Sequence, residues 1–234
     1  MNQIYSAKIV ECNKNQIKQN KNIDIDYTLA IFCNYKGNTT EKIYHTRKEK
    51  IMDKKKISVL DFQKFKDEGR RFAYVTAYDY TTASIVDESD VEVILVGDSL
   101  GMIMLGYSTT VGVTLDDMIH HIRPVVKGAT HTFVAGDMPF GSYQESPEQA
   151  IHSACRMLAE TNCDCVKLEG GVAMAPTIRR MVDVGIPVMG HIGMTPQSAT
   201  SFGGFKVQGG TPEGAKKLIQ DALALQDAGV FSIV

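Results

Sequence analysis

Val93-Ile94-Leu95-Val96-Gly97-Asp98-Ser99-Leu100-Gly101 opens with four apolar residues and passes at once to a glycine, an acid and a hydroxyl. A short apolar run with β-branched members reads as a strand buried on both faces, the habit of parallel sheets covered by helices. Gly97-Asp98-Ser99 then sets a carboxylate and a hydroxyl where that strand gives way to a loop. In α/β folds, ligands bind at the carboxyl ends of parallel strands. Two later runs finish in the same style, at Gly136-Asp137 and at Lys167-Leu168-Glu169-Gly170. Acids at three consecutive strand ends are the main functional signal in the chain.

Working outward, helices and strands alternate from Ile57 onward. The pattern predicts strands over Phe72–Tyr78, Val93–Val96, His131–Met138, Cys165–Leu168, Ile186–His191 and Val230–Val234. Between them it predicts helices over Thr81–Asp87, from Thr114 to Lys127, from Ser146 to Thr161, over Met174–Val184 and from Thr211 to Ala228, after an opening helix at Val59–Glu68. Thr114 and Ser146 are caps, with Asp116 and Asp117 favourable in one first turn and Pro147 at the first position of the other. Pro124 is expected to kink its helix or to begin its last part. Gly101 to Gly112 reads as a glycine-rich connection. Phe202 to Gly209 reads as a glycine-rich lid or binding wall. Strands alternating with helices imply parallel β/α units. Six units fit an open doubly wound sheet, or the first six of an eight-fold barrel.

The 234 residues are enough for one large α/β domain, and a net charge of −2 implies no polyanion partner. Tryptophan is absent and no basic stripe carries interleaved aromatics, so nucleic-acid binding is not expected. No apolar run reaches the roughly 18 residues of a membrane span, and the first residues do not form a secretory signal core. Five cysteines without framework spacing fit a reducing, cytoplasmic setting. Cys163-Asp164-Cys165 reads as small residues entering a strand rather than as a metal thiolate pair, because no second Cys/His pair lies near.

Composition breaks near residue 52. Seven of the eight asparagines lie in the first fifty residues, whereas nineteen of the twenty glycines follow them. Residues 1–51 therefore read as a disordered extension or as upstream sequence, with one weak strand from Ile25 to Phe32. Met52-Asp53-Lys54 has the look of a protein start, and residues 52–234 read as a partial barrel domain. N-terminal sequencing of the native protein tests this; a start at Met52 is expected, and a start at Met1 contradicts it.

The strand ends bring Tyr78-Asp79, Asp98-Ser99, Asp137, Lys167, Glu169 and His191 toward one mouth. Converging carboxylates repel one another unless protonated or bridged by a cation. Oxygen-only donors with few protein ligands suit Mg²⁺. Lys167 taken alone has an obvious salt-bridge partner in Glu169, which faces the same side of its strand. The Gly97–Gly101 turn is neither a P-loop nor a dinucleotide fingerprint, and Ser99 is not in a nucleophile elbow.

Val96-Gly97-Asp98-Ser99-Leu100-Gly101-Met102, Ala135-Gly136-Asp137-Met138-Pro139-Phe140, Val166-Lys167-Leu168-Glu169-Gly170-Gly171 and Gly190-His191-Ile192-Gly193-Met194-Thr195-Pro196-Gln197, with Thr76-Ala77-Tyr78-Asp79 and Thr110-Val111, resemble the ketopantoate hydroxymethyltransferase family. The resemblance runs from about residue 56 to the C-terminus. It implies a (β/α)₈ TIM barrel that transfers a hydroxymethyl group from 5,10-methylenetetrahydrofolate to 3-methyl-2-oxobutanoate, giving 2-dehydropantoate. It implies Asp98 and Asp137 as Mg²⁺ ligands, with Glu169 as a further, water-mediated ligand, and a ketoacid chelating the metal through its keto oxygen and carboxylate. Ser99 and Lys167 would hold the substrate carboxylate, with Tyr78 and His191 lining the pocket. Metal on the keto oxygen would stabilise an enolate. The resemblance further implies a large homo-oligomer, a decamer in the family. It places the general-base glutamate two residues beyond Val234, so that no residue of this chain is the expected base and the chain by itself is expected to be poorly active. Two other readings stand beside it: a non-catalytic fragment, and a phosphoenolpyruvate mutase or isocitrate-lyase-like Mg²⁺ enolate enzyme, against which the lack of a Lys-Lys-Cys-Gly-His-like loop counts.

Overall fold

The computed structural model describes residues 54–201 and 203–234. The extension at 1–51 and its strand at Ile25–Phe32 lie outside the described residues. Helix α1 (Val59–Asp67) leads into β1 (Tyr74–Thr76), α2 (Tyr80–Asp87), β2 (Val93–Val96), a short α3 (Leu100–Ile103) and α4 (Leu115–Gly128). Then come β3 (Phe133–Asp137), α5 (Pro147–Thr161), β4 (Cys165–Glu169), α6 (Ala175–Asp183), β5 (Val188–His191), α7 (Pro212–Ala228) and β6 (Ser232–Ile233). All five pairings are parallel, and the strand order is β1-β2-β3-β4-β5-β6. A doubly wound sheet reverses its order at a switch point. This one never does, which is the winding of a barrel wall, here with six of the eight strands of a TIM barrel among the described residues.

The caps act as the residues predict. Thr114 Oγ1 accepts from the Asp117 amide and Ser146 Oγ from the Gln149 amide, at 3.1 Å each. Several boundaries differ from expectation. The first strand is Tyr74–Thr76 rather than Phe72–Tyr78, and the last is Ser232–Ile233 rather than Val230–Val234. Each has one strand neighbour among the described residues. The stretch after Gly101 is not all loop, because Leu100–Ile103 completes a helical turn. Helix α4 runs unbroken through Pro124. The described part of the expected lid leaves Phe205 and Val207 exposed, and its one side-chain hydrogen bond, Gln208 to the Lys206 carbonyl, stays within the loop.

Strand alternation divides the core into two layers. Ile94, Val96, Val134, Val166, Leu168 and Val188 face the helices and pack with Ile122, Met157, Ile178 and Leu225. The alternate residues Val93, Leu95, Phe133, Ala135, Cys165 and Met189 face the barrel interior. Helix α1 closes the floor of that interior. Phe62 packs edge-on against Phe133 with centroids 4.9 Å apart and lies 5.2 Å from Phe231. Cys163 and Cys165 are buried free thiols, with burial pushing Cys163 up to about 11.

A polar clasp ties α2 to the strand that follows α4. The Asp87 carboxylate accepts the amides of Thr130, His131 and Thr132, the Thr130 hydroxyl and His131 Nδ1, all within 3.1 Å. Burial raises the pKa of this carboxyl, but the Thr132 and His131 amides outweigh it and hold the group well below the usual carboxylate range. A carboxyl depressed in the folded state stabilises above its unfolded value of about 4, and that stability is lost as pH falls through the folded value. Asp87→Asn is therefore expected to cost about 3 kcal/mol at neutral pH. In pH-resolved thermal melts the gap to the native chain should narrow below about pH 4. A gap that stays constant into acid would contradict this.

Candidate active site

On the interior face the same alternation changes chemistry partway up each strand. On β3 it reads Phe133, Ala135, Asp137; on β4 Cys165, Lys167, Glu169; on β5 Met189, His191. The lower positions are apolar and rest on α1, and the upper ones are charged or polar. Register then selects neighbours. Asp137 lies opposite Lys167, and Glu169 lies opposite His191.

Lys167 Nζ donates to Asp137 Oδ1 at 2.5 Å, with both side chains buried. This corrects the expectation that Lys167 pairs with Glu169. Residues two apart on one strand are separated by about 6.6 Å, whereas directly paired positions on neighbouring strands are about 4.8 Å apart. Burial works against the ammonium, but the adjacent Asp137 carboxylate holds Lys167 above its ordinary value, so it is a fixed cation. Asp137 Oδ2 accepts the Asp98 amide at 3.2 Å. Burial first, and the Asp137 charge second, push the Asp98 carboxyl up to about 6.

Position 97 follows Val93 and Leu95 on the interior face, and its lack of a side chain keeps the mouth open. A Cβ there would lie 2.8 Å from Ser99 Oγ and 3.3 Å from Asp137 Oδ2. Ser99 Oγ is also 2.9 Å from Tyr78 Oη. Tyr78 is held from behind, its carbonyl lying 2.8 Å from His121 Nδ1. Glu169 Oε1 stands 3.5 Å from His191 Nδ1, a buried atom with no hydrogen-bond partner among the described residues. Tyr78, Asp98, Ser99, Asp137, Lys167, Glu169 and His191 thus all gather at the carboxyl ends of β1 to β5. Asp79 does not join them: it caps α2, accepting the Thr82 amide and hydroxyl.

Two residues here carry no sequence expectation. Gln197, in a single 3₁₀ turn (Pro196–Ser198) after β5, donates to Asp98 Oδ2. Its backbone amide donates to Glu169 Oε2 at 3.0 Å. Tyr143, in the loop before α5, is almost fully buried and donates to Gln197 Oε1 at 2.6 Å. Gln197 ends the Gly190–Gln197 motif, which is the one sequence signal that could have found it. Tyr143 had none.

The donor set fits a divalent cation. Three buried carboxylates, Asp98, Asp137 and Glu169, face one buried cation, Lys167. With all of them ionised, the cluster carries three negative charges and one positive, and Mg²⁺ would balance the remaining two. Among the described residues no three His, Cys, Asp or Glu side chains gather tightly enough to cage an ion alone. Mg²⁺ takes one or two carboxylates and completes its shell with water and substrate oxygens.

Residues 56–234 match the protein family described as Ketopantoate hydroxymethyltransferase. A Heliobacterium modesticaldum protein named 3-methyl-2-oxobutanoate hydroxymethyltransferase is 60% identical over 180 residues, covering 77% of this chain and 65% of its own length. One of the same name from Alkaliphilus metalliredigens is 53% identical over 180 residues, covering 77% and 64%. The chain thus spans just under two thirds of the length of these relatives. Among solved structures, 2,3-dimethylmalate lyase, a PEP mutase/isocitrate lyase superfamily member, superposes with a TM-score of 0.53 at 14% identity, covering 74% of this chain and 60% of that one. At that identity the likeness is one of fold.

The buried ion pair yields a stability prediction. Lys167→Met leaves the Asp137 carboxylate buried without a counter-charge and is expected to cost about 3–5 kcal/mol in denaturant unfolding. Adding Asp137→Leu should recover much of that loss, because the pair is removed together. Additive losses would contradict the pairing.

Proposed function

This chain belongs to the ketopantoate hydroxymethyltransferase family, and from that membership we propose that its strand-end cluster binds 3-methyl-2-oxobutanoate together with Mg²⁺, for hydroxymethyl transfer from 5,10-methylenetetrahydrofolate to give 2-dehydropantoate. The observation that carries the reading is that all seven residues singled out by the family motifs meet at one barrel mouth. Membership of this family also weighs against the phosphoenolpyruvate mutase and isocitrate lyase alternative, whose likeness to this chain is one of fold.

Asp98 and Asp137 would hold the cation, with Glu169 beside them. When bound, the cation supplies electrostatic stabilisation for negative charge developing on a substrate oxygen. Lys167 is held protonated by Asp137 and presents a fixed positive charge to the substrate carboxylate. Ser99 and Tyr78 share a hydroxyl pair, of which one proton is free to turn toward a carboxylate oxygen. His191 lines the pocket, its Nδ1 lying 3.5 Å from Glu169 Oε1. The apolar layer of Leu95, Ala135 and Met189 below the charges keeps water from the floor of the site. The ketoacid and the folate are the partners in this reading, the assembly is a homo-oligomer and the compartment is the cytoplasm, in keeping with free thiols at Cys155, Cys163 and Cys165.

Calorimetric titration of 3-methyl-2-oxobutanoate into the chain tests the reading. Binding is expected with Mg²⁺ and to weaken by at least about tenfold after chelation or in Asp98→Asn. Ketoacid binding that is indifferent to both would overturn it.

A further inference from the structure

Gln197 is a side chain with every polar atom committed. Nε2 donates to Asp98 Oδ2 and to the Met138 carbonyl, both at 2.9 Å. Oε1 accepts from Tyr143 Oη at 2.6 Å and from Gln144 Nε2 at 3.3 Å. Its backbone amide holds Glu169 Oε2. A single residue beyond β5 therefore touches Asp98, two residues past the end of β2, Met138, directly after β3, and Glu169, the last residue of β4.

Chemistry fixes which way its amide faces. A carboxylate and a carbonyl oxygen only accept, so the NH₂ end must face Asp98 and Met138. The Tyr143 hydroxyl accepts the Glu169 amide at 3.2 Å and donates its own hydrogen to Gln197 Oε1. A flipped amide would set oxygen against oxygen at Asp98 and at Met138. In the orientation observed, Gln197 takes one Asp98 oxygen and leaves the other.

We propose that Gln197 is the positioning residue of the cation site, a loop amide that fixes the Asp98 and Glu169 carboxylates relative to each other while Tyr143 sets the direction of the amide. The inference rests on the reading of Asp98 and Asp137 as cation ligands. Partners that orient metal-binding carboxylates are worth about 10–100-fold in metal affinity. Gln197 touches no reacting atom in this account; it acts through Asp98 and Glu169.

The test is Mn²⁺ binding to the full chain, followed by electron paramagnetic resonance without substrate and well below the melting temperature. Gln197→Met keeps the length of the side chain and removes its donors and acceptors; it should weaken Mn²⁺ about 10–100-fold. Tyr143→Phe, which removes only the hydroxyl, should weaken it by a smaller factor and carries the test alone if Gln197→Met does not fold. Met157→Ala, in the helix-facing core, should lose stability and keep Mn²⁺ affinity. If Gln197→Met and Tyr143→Phe bind as the native chain does while Asp98→Asn does not bind, the positioning role is wrong and the cation site stands. Loss in Met157→Ala equal to that in Gln197→Met would make the effect one of general destabilisation and also overturn the role. If Asp98→Asn binds as tightly as the native chain, the cation site itself is wrong and the inference falls with it.

Discussion

Lys167 is an ammonium buried in a barrel, and its charge is tolerable there only because Asp137 stands opposite it on the neighbouring strand. Removing either partner would leave the other desolvated and alone. Parallel strands repeat every two residues, so a slip of one would turn Asp137, Lys167 and Glu169 toward the apolar helix layer. The register of β3 on β4 is thereby tied to the same contact that organises the site. Asp98 is drawn in by its amide, which donates to the other Asp137 oxygen. The three strands β2, β3 and β4 converge on one carboxylate.

The interior face explains how such a charged group survives inside a small domain. Phe62, Phe133 and Phe231 fill the floor beneath the site, and Leu95, Ala135 and Met189 form the next level. These residues exclude water from below. The loops that follow β3 and β5 then reach in through Tyr143 and Gln197, and Gln197 donates to one oxygen of Asp98 and one of Glu169. Stability and chemistry share residues here, but they divide by height along the strands.

Much of this was legible in the sequence because both faces of a buried strand are apolar and the chain marks its ends with glycine and acid. Val93–Val96 with Asp98, and the pairs Gly136-Asp137 and Leu168-Glu169, mark the mouth in the sequence itself. What could not be read was pairing across strands. Lys167 has Glu169 close by in sequence and Asp137 thirty residues away, and only the register decides for Asp137. Tyr143 and Gln197 were missed for a related reason. Both lie in loops without periodicity, and their burial is conferred by other segments folding over them. The short ladders of β1 and β6 were overestimated because apolar residues continue past the last paired position.

The central claim is that the strand-end carboxylates form one cation site above the Asp137–Lys167 pair. Anomalous diffraction from crystals of this chain grown with Mn²⁺ and 3-methyl-2-oxobutanoate tests it most directly. The account predicts one strong peak bounded by Asp98 and Asp137, with ketoacid density reaching toward Ser99 and Lys167. A peak elsewhere on the chain, or ketoacid density at this mouth with no metal beside it, would contradict the account.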